Sequence, residues 1–121
     1  MRNFRVWDIY KDGTNFVKEI YILTQDLPKE EVYGLTSQIR RASVSIVNNI
    51  AEGAAKSSAK DFHRYLEMSL GSAFEVETLL NIIKDLNYGN SIATSELIQK
   101  VNSIEKRINA FIQKIRKEDL N

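Results

Sequence analysis

Apolar residues recur at every third or fourth position along almost the whole chain, and they never alternate over a sustained stretch. This spacing matches the turn of an α-helix, whereas a half-buried strand places apolar residues at every second position. Three short segments interrupt the pattern, at residues 26–30, 53–58 and 87–91. Three interruptions in a helical pattern predict four helices.

Each interruption has the chemistry of a helix boundary. Pro28 disfavours helical backbone at the residue before it. Gly53 is suited to ending a helix, and Ser58 followed by Asp61 has the form of a capping box. Residues 87–91 are rich in side chains that tolerate left-handed backbone. Short connections favour antiparallel neighbours, so we expect an all-α, up-down-up-down four-helix bundle. A chain of 121 residues is one domain, spanning 1–121.

The second predicted helix, Leu35 to Ala55, has two apolar faces. The first is expected in the core and consists of Leu35, Ile39, Ala42, Ile46, Ile50 and Gly53. The second lies about 130° away and consists of Val44, Val47 and Ala51. A helix in a monomeric bundle needs one buried stripe, so we predict that the second face, with Arg40 beside it, contacts another subunit. The alternative is that these small apolar residues are simply tolerated on an exposed surface.

Composition argues against most catalytic chemistry. The chain has no cysteine and one histidine, His63, which excludes a thiol nucleophile, a thiolate metal site and a multi-histidine metal site. We therefore expect no enzyme activity, no metal and no cofactor, with a hydrolase using Glu52 as a minor alternative. His63 is expected to face solvent. The N-terminal residues lack a long apolar stretch, so we expect a cytoplasmic protein with no membrane partner.

Charge is unevenly distributed although the net charge is only +1. Residues 97–121 contain six basic and three acidic side chains, whereas residues 57–96 contain three basic and six acidic side chains. Lys100, Arg107 and Lys114 are spaced seven residues apart and line one edge of the fourth helix. We predict that they contact successive phosphates of a nucleic-acid backbone. Arg41 belongs to a polar stripe of the second helix and is a further candidate. The alternative is a solvated helix face that complements the acidic third helix.

Arg40 and Arg41 point about 100° apart on a helix, so they are expected to serve different surfaces. Arg40 is predicted to hold a carboxylate of a neighbouring subunit, with Glu75 or Glu77 as candidates.

Residues 33–46 (YGLTSQIRRASVSI) and 49–53 (NIAEG) carry a family resemblance. Further matches extend it over nearly the whole chain, at Val6-Trp7, Leu27-Pro28, Ser58, Asp61-Phe62, Arg64-Tyr65-Leu66, Gly71-Ser72, Glu75, Glu77 and Leu86-Asn87-Tyr88. The chain resembles the small four-helix-bundle proteins encoded in intervening sequences of bacterial large-subunit rRNA genes. It departs from their pattern at Val47, where proline is usual, and at Ala55, where glycine is common. Without that proline the second helix is expected to be straighter.

The resemblance implies a ring-like homo-oligomer, a pentamer. The chain is also similar to the accessory protein of diversity-generating retroelements, which binds nucleic acid and a reverse transcriptase. We therefore predict a non-enzymatic oligomer that binds RNA or DNA together with a protein partner such as a reverse transcriptase. The alternative function is a protein–protein interaction scaffold that does not bind nucleic acid.

Overall fold

Four α-helices form most of the protein: α1 Asp8–Thr24, α2 Leu35–Ala54, α3 Ala59–Asp85 and α4 Ser91–Leu120. Two single-turn 3-10 helices, Phe4–Val6 and Lys29–Glu31, precede α1 and α2. The computed structural model describes the backbone of residues 2–120 and the side chains of residues 2–117. Within that part of the chain there is no β-strand, which confirms the all-α prediction with four helices.

Each helix contacts two neighbours, in the cyclic order α1, α2, α3, α4. Asp12 meets Arg107 and Glu19 meets Lys100, so contacts between α1 and α4 run in opposite sequence directions. The same reversal appears between α1 and α2 and between α2 and α3, in the pairs Gly13–Val47, Thr24–Arg40, Ser45–Ser72 and Gly53–Tyr65. The α1–α2 and α3–α4 connections therefore share one end of the bundle, and the α2–α3 connection lies at the other end, beside the N-terminal segment.

The core is built from the apolar stripes of all four helices. Ile39, Ile46 and Ile50 of α2 are almost fully buried, and Ala42 is 5% exposed, as the helical periodicity predicts. Leu35 is only partly buried, because it lies in the first turn of α2. Among residues 2–120, no helix is long and apolar enough to span a membrane.

Two of the predicted helix boundaries are confirmed in detail. The Oγ atom of Ser58 accepts a hydrogen bond of 3.1 Å from the amide of Asp61 and so caps α3. In the connection between α3 and α4, Asn87 and Gly89 have φ values of 57° and 65°. These are left-handed conformations that asparagine and glycine adopt more readily than other residues.

Gly53 differs from its predicted role as a helix terminator. It lies inside α2, one residue before the helix ends, and its backbone is not left-handed. A β-carbon at Gly53 would lie 2.8 Å from Cβ of Tyr65 and 3.0 Å from Cδ1 of Phe62. Glycine is therefore needed here because α2 and α3 approach each other closely, which sequence periodicity does not reveal.

Candidate nucleic-acid interface

The basic edge predicted on α4 is partly neutralised by α1. Nζ of Lys100 contacts a carboxylate oxygen of Glu19, and Nη1 of Arg107 lies 2.7 Å from Oδ2 of Asp12. The two ion pairs flank a groove of about 290 Å³ between the helices. A cation that already has a carboxylate partner contributes less to a positive surface. Lys100 and Arg107 therefore form a weaker phosphate site than their spacing suggests.

The four predicted phosphate contacts do not form one surface. Arg41 is exposed in a shallow groove along the outside of α2, between Tyr21 of α1 and Met68 of α3. In the part of the chain that the structure describes, α2 does not contact α4. Arg41 therefore lies on a different side of the bundle from the basic edge of α4. Lys114 is exposed and lies near the C-terminal end of that edge.

A concentration of positive charge occurs at the end of the bundle that holds the α2–α3 connection. This basic end comprises residues 2–8, 54–66 and 109–117. Two carboxylates lie in these segments, Asp8 and Asp61, and Oδ1 of Asp61 is 3.9 Å from Nη2 of Arg64. The segments contain eight basic side chains: Arg2, Arg5, Lys56, Lys60, Arg64, Lys114, Arg116 and Lys117. The sequence then continues with Glu118 and Asp119. Sequence reasoning found only Lys114 of this set, because the three segments meet only in the folded bundle.

Aromatic rings hold several of these cations in position. The guanidinium of Arg2 donates to the carbonyl oxygen of Lys56 and lies 4.5 Å from the ring centroid of Phe62. Nζ of Lys56 is 4.9 Å from the ring centroid of Tyr65, and the guanidinium carbon of Arg64 is 5.7 Å from the same centroid. Cation–π contacts of this kind favour a defined side-chain position. Arg2, Lys56 and Arg64 are thus arranged around the α2–α3 connection within the chain itself.

Arg40, predicted at a subunit interface, joins α2 to α1 of the same chain. Its Nε donates to Oγ1 of Thr24 at 2.8 Å, and its Nη2 donates to the carbonyl oxygen of Tyr21 at 3.3 Å. The guanidinium also lies 4.5 Å from the ring centroid of Tyr21. The guanidinium of Arg40 therefore has hydrogen-bond partners within its own chain. A carboxylate of Glu75 or Glu77 from another subunit is not needed to satisfy its donors.

The second apolar face of α2 is divided between the core and the surface. Val47 is 8% exposed, and a β-carbon at Gly13 of α1 would lie 2.5 Å from its Cγ1. α1 therefore covers much of Val47 within the chain, and a contact of Val47 with another subunit stays a prediction. Val44 and Ala51 remain partly exposed.

Polar side chains connect α2 to α3 near the middle of the bundle. Oγ of Ser45 and Oγ of Ser72 are 2.8 Å apart, and Nδ2 of Asn49 donates to Oγ of Ser45 at 3.0 Å. Oγ of Ser69 donates to the carbonyl oxygen of Ile46 at 2.7 Å. Asn49 thus has hydrogen-bond partners within the fold, while Glu52 remains exposed beside it. These hydrogen bonds connect α2 to α3.

His63 was expected to face solvent, but its side chain is only 22% exposed. Its Nδ1 lies 3.1 Å from Oε1 of Glu67, one turn along α3, and its Nε2 is buried without a hydrogen-bond partner among the described residues. The imidazole borders a groove between α3 and α4 that Phe74 and Arg116 also line. The position of His63 near the start of α3 does not by itself indicate that the residue borders a groove between α3 and α4.

The carboxyl groups of Glu77 and Glu105 meet between α3 and α4. Glu77 is one of the two residues, with Glu75, predicted as a partner of Arg40 in another subunit. Burial raises the pKa of Glu105 to about 8, and a hydrogen bond to Glu77 and the charge of Glu77 act in the same direction. Oε2 of Glu105 is buried and has no hydrogen-bond donor among the described residues. At neutral pH the pair therefore retains a proton, which allows one carboxyl to donate to the other.

This pair predicts a pH dependence of stability. In the unfolded chain a glutamate has its unperturbed pKa, about 4.3. Since the folded pKa of Glu105 is about 8, the folded state binds more protons in the interval between, and the free energy of unfolding falls as pH rises through it. We expect Glu105→Gln to remove this dependence and to be more stable than the original protein above pH 8, by about 1–2 kcal/mol after allowance for solvent screening.

Urea unfolding at a series of pH values measures the effect. Glu75→Gln is the matched control, because Glu75 is exposed on α3 and no ion pair of the described residues includes it. Identical pH profiles for Glu105→Gln and the original protein would contradict the shared proton.

Comparison with known proteins agrees with the bundle. The crystal structure of a protein of unknown function from the S23 ribosomal protein family of Bacteroides thetaiotaomicron VPI-5482 is similar, with a TM-score of 0.79 and 24% sequence identity. The match covers 87% of this chain and 95% of that chain. No curated protein matches the sequence significantly. The sequence model of the family described as 23S rRNA-intervening sequence protein matches residues 5–110. The chain therefore belongs to the 23S rRNA-intervening sequence protein family.

Proposed function

We propose that this protein is a non-enzymatic nucleic-acid-binding protein that contacts phosphates through its basic end. The supporting observation is that three separate segments bring eight basic side chains to one end of the bundle, where Arg2, Lys56 and Arg64 lie at the α2–α3 connection. Lysine and arginine clustered on one surface attract the phosphate backbone and release its counterions. Phosphate contacts alone do not distinguish RNA from DNA, so the proposed ligand is RNA or DNA.

The proposed binding is electrostatic, with little preference for sequence. Tyr65 and Phe62 are in contact with basic groups, and Phe62 is fully buried, so it is not available for stacking on bases. Phosphate contacts position a protein on nucleic acid but do not read bases. Selectivity then comes from the shape of the nucleic acid or from a protein partner. By the retroelement resemblance, that partner is a reverse transcriptase.

We also propose that the up-down-up-down bundle assembles into a ring-like homo-oligomer, a pentamer. The outer face of α2 supports this, since Val44 and Ala51 are partly exposed there and Tyr21 and Met68 beside them are 41% and 50% exposed. A ring repeats the basic end once per subunit, so weak phosphate contacts add along one strand. Light scattering at micromolar concentration measures the subunit number, and a monomer would contradict the ring.

The binding proposal is tested by reversing charge at the basic end. Lys60→Glu combined with Lys114→Glu is expected to weaken binding to structured RNA at least about tenfold and to flatten its dependence on salt. Both side chains are exposed, so the fold is retained. Fluorescence anisotropy of labelled single-stranded RNA, structured RNA and duplex DNA at about 50 mM and about 150 mM salt provides the affinities.

Lys29→Glu combined with Lys84→Glu is the matched control, because it changes the net charge equally at the opposite end of the bundle. Equal losses in both double variants would show that overall charge, and not the basic end, controls affinity. A loss of affinity only in Arg41→Glu combined with Arg107→Glu would place the binding site on the outer face of α2 and the basic edge of α4. No binding to any of the three nucleic acids at low salt would favour the alternative, a protein–protein interaction scaffold.

A further inference from the structure

The end of the bundle opposite the basic end is unusually apolar at its surface. Ten large hydrophobic side chains among the described residues are exposed, and six of them lie at this end: Ile22, Val32, Tyr33, Ile82, Leu86 and Ile92. Single exposed apolar residues are normal on protein surfaces, but a concentration in one region is typical of an interaction site. Ile22 and Ile92 are 65% and 72% exposed, so the bundle itself does not cover them.

Part of this surface is a groove between α1 and α4. Its volume is about 300 Å³, and Ile22, Leu23, Ala93 and Leu97 supply its apolar lining. Oδ1 of Asn90 accepts hydrogen bonds from the amides of Ile92 and Ala93, at 3.0 and 3.1 Å. These bonds fix the first turn of α4.

The same end is acidic. Residues 22–38 and 80–97 define this acidic end, in which Lys29 and Lys84 are accompanied by five carboxylates: Asp26, Glu30, Glu31, Asp85 and Glu96. Asp26 and Glu96 border the groove directly. No ion pair within the described part of the chain includes either of them. An apolar groove with free carboxylates at its rim is complementary to apolar side chains flanked by lysine or arginine.

We infer that the acidic end is a docking surface for a basic amphipathic helix of a partner protein. The apolar side chains of that helix enter the groove beside Ile22 and contact the exposed Ile92, which precedes the lining residue Ala93. Its lysine or arginine side chains pair with Asp26 and Glu96. Helix-in-groove recognition uses this combination of a few apolar anchors and a charged rim. A nucleic acid does not fit the surface, because its phosphates would be repelled by the carboxylates. The two ends of the bundle therefore bind partners of opposite charge.

The probe is a synthetic amphipathic helical peptide of leucine and lysine, labelled with fluorescein. Its matched control has the same leucine positions with glutamate in place of lysine. We expect saturable binding of the lysine peptide and binding of the glutamate peptide that is at least about tenfold weaker. Ile22→Ser combined with Ile92→Ser should weaken binding of the lysine peptide at least about tenfold, with unchanged helicity because both side chains are exposed.

Val6→Ser combined with Phe74→Ser is the control variant, since it removes two exposed apolar side chains elsewhere, and it should leave peptide affinity unchanged. Equal affinity for the two peptides, or equal affinity of the two double variants, would overturn the proposal. A smaller assembly in light scattering of Ile22→Ser with Ile92→Ser would also overturn it, because the occupant would then be a second copy of this chain. The test does not depend on nucleic-acid binding, so it separates failure of this proposal from failure at the basic end.

Discussion

Replacement of Ile46 by alanine is expected to lower the free energy of unfolding by about 2–5 kcal/mol. Ile46 is 1% exposed and lies in the middle of α2, which contacts both α1 and α3. Truncation removes apolar surface from the core and leaves a cavity that the surrounding helices fill only in part. Urea unfolding followed by circular dichroism measures the change, at one fixed protein concentration because oligomerisation alters apparent stability.

Ile22→Ala is the matched control for this measurement. It makes the same chemical change on α1, but Ile22 is 65% exposed, so we expect a change within about 0.5 kcal/mol. A loss below about 1 kcal/mol in Ile46→Ala would mean that α2 is rotated away from the orientation described above.

Helix number, core positions and two helix boundaries could be predicted because they depend on local sequence. The spacing of Ile39, Ile46 and Ile50 selects one face of α2 whatever lies against it. The Ser58 cap and the left-handed Asn87 likewise follow from residue chemistry within a few positions.

The second apolar face of α2 has a partner within the chain that one buried stripe per helix does not predict. In the cyclic arrangement α2 has two neighbours, so a second face about 130° from the first is partly covered by α1 of the same chain. The close approach at Gly13 makes room for Val47, and the hydroxyl of Thr24 provides a partner for Arg40. Neither contact is visible in the periodicity of α2 alone.

The basic end could not be predicted for a related reason. Along the sequence, the main contrast in net charge is between the acidic residues 57–96 and the basic residues 97–121. Folding instead brings the start of α3 beside the end of α4, so Lys60 and Lys114, from regions of opposite net charge, lie at the same end of the bundle. The direction of each helix must be known before charges can be grouped in space.

Val47→Asp is expected to cost at least about 3 kcal/mol and to reduce helicity, instead of only separating subunits. The carboxylate would replace a side chain that is 8% exposed and faces Gly13, a residue that offers no side-chain hydrogen-bond donor. A buried carboxyl without a partner must either ionise at high cost or remain protonated. Thermal unfolding followed by circular dichroism, with light scattering of the same samples, measures stability and assembly together.

Val44→Asp introduces the same charge on the same helix, three residues away, where the side chain is partly exposed. We expect it to retain full helicity, because water still reaches the new carboxylate. If the outer face of α2 joins subunits, this variant also dissociates the ring, since the interface would bury an unpaired charge. Full helicity and stability in Val47→Asp, together with a smaller assembly, would contradict the position of Val47 inside the chain. The two variants thus distinguish a side chain buried by α1 from one buried by another subunit. Only a contact between subunits can be lost while the monomer stays folded.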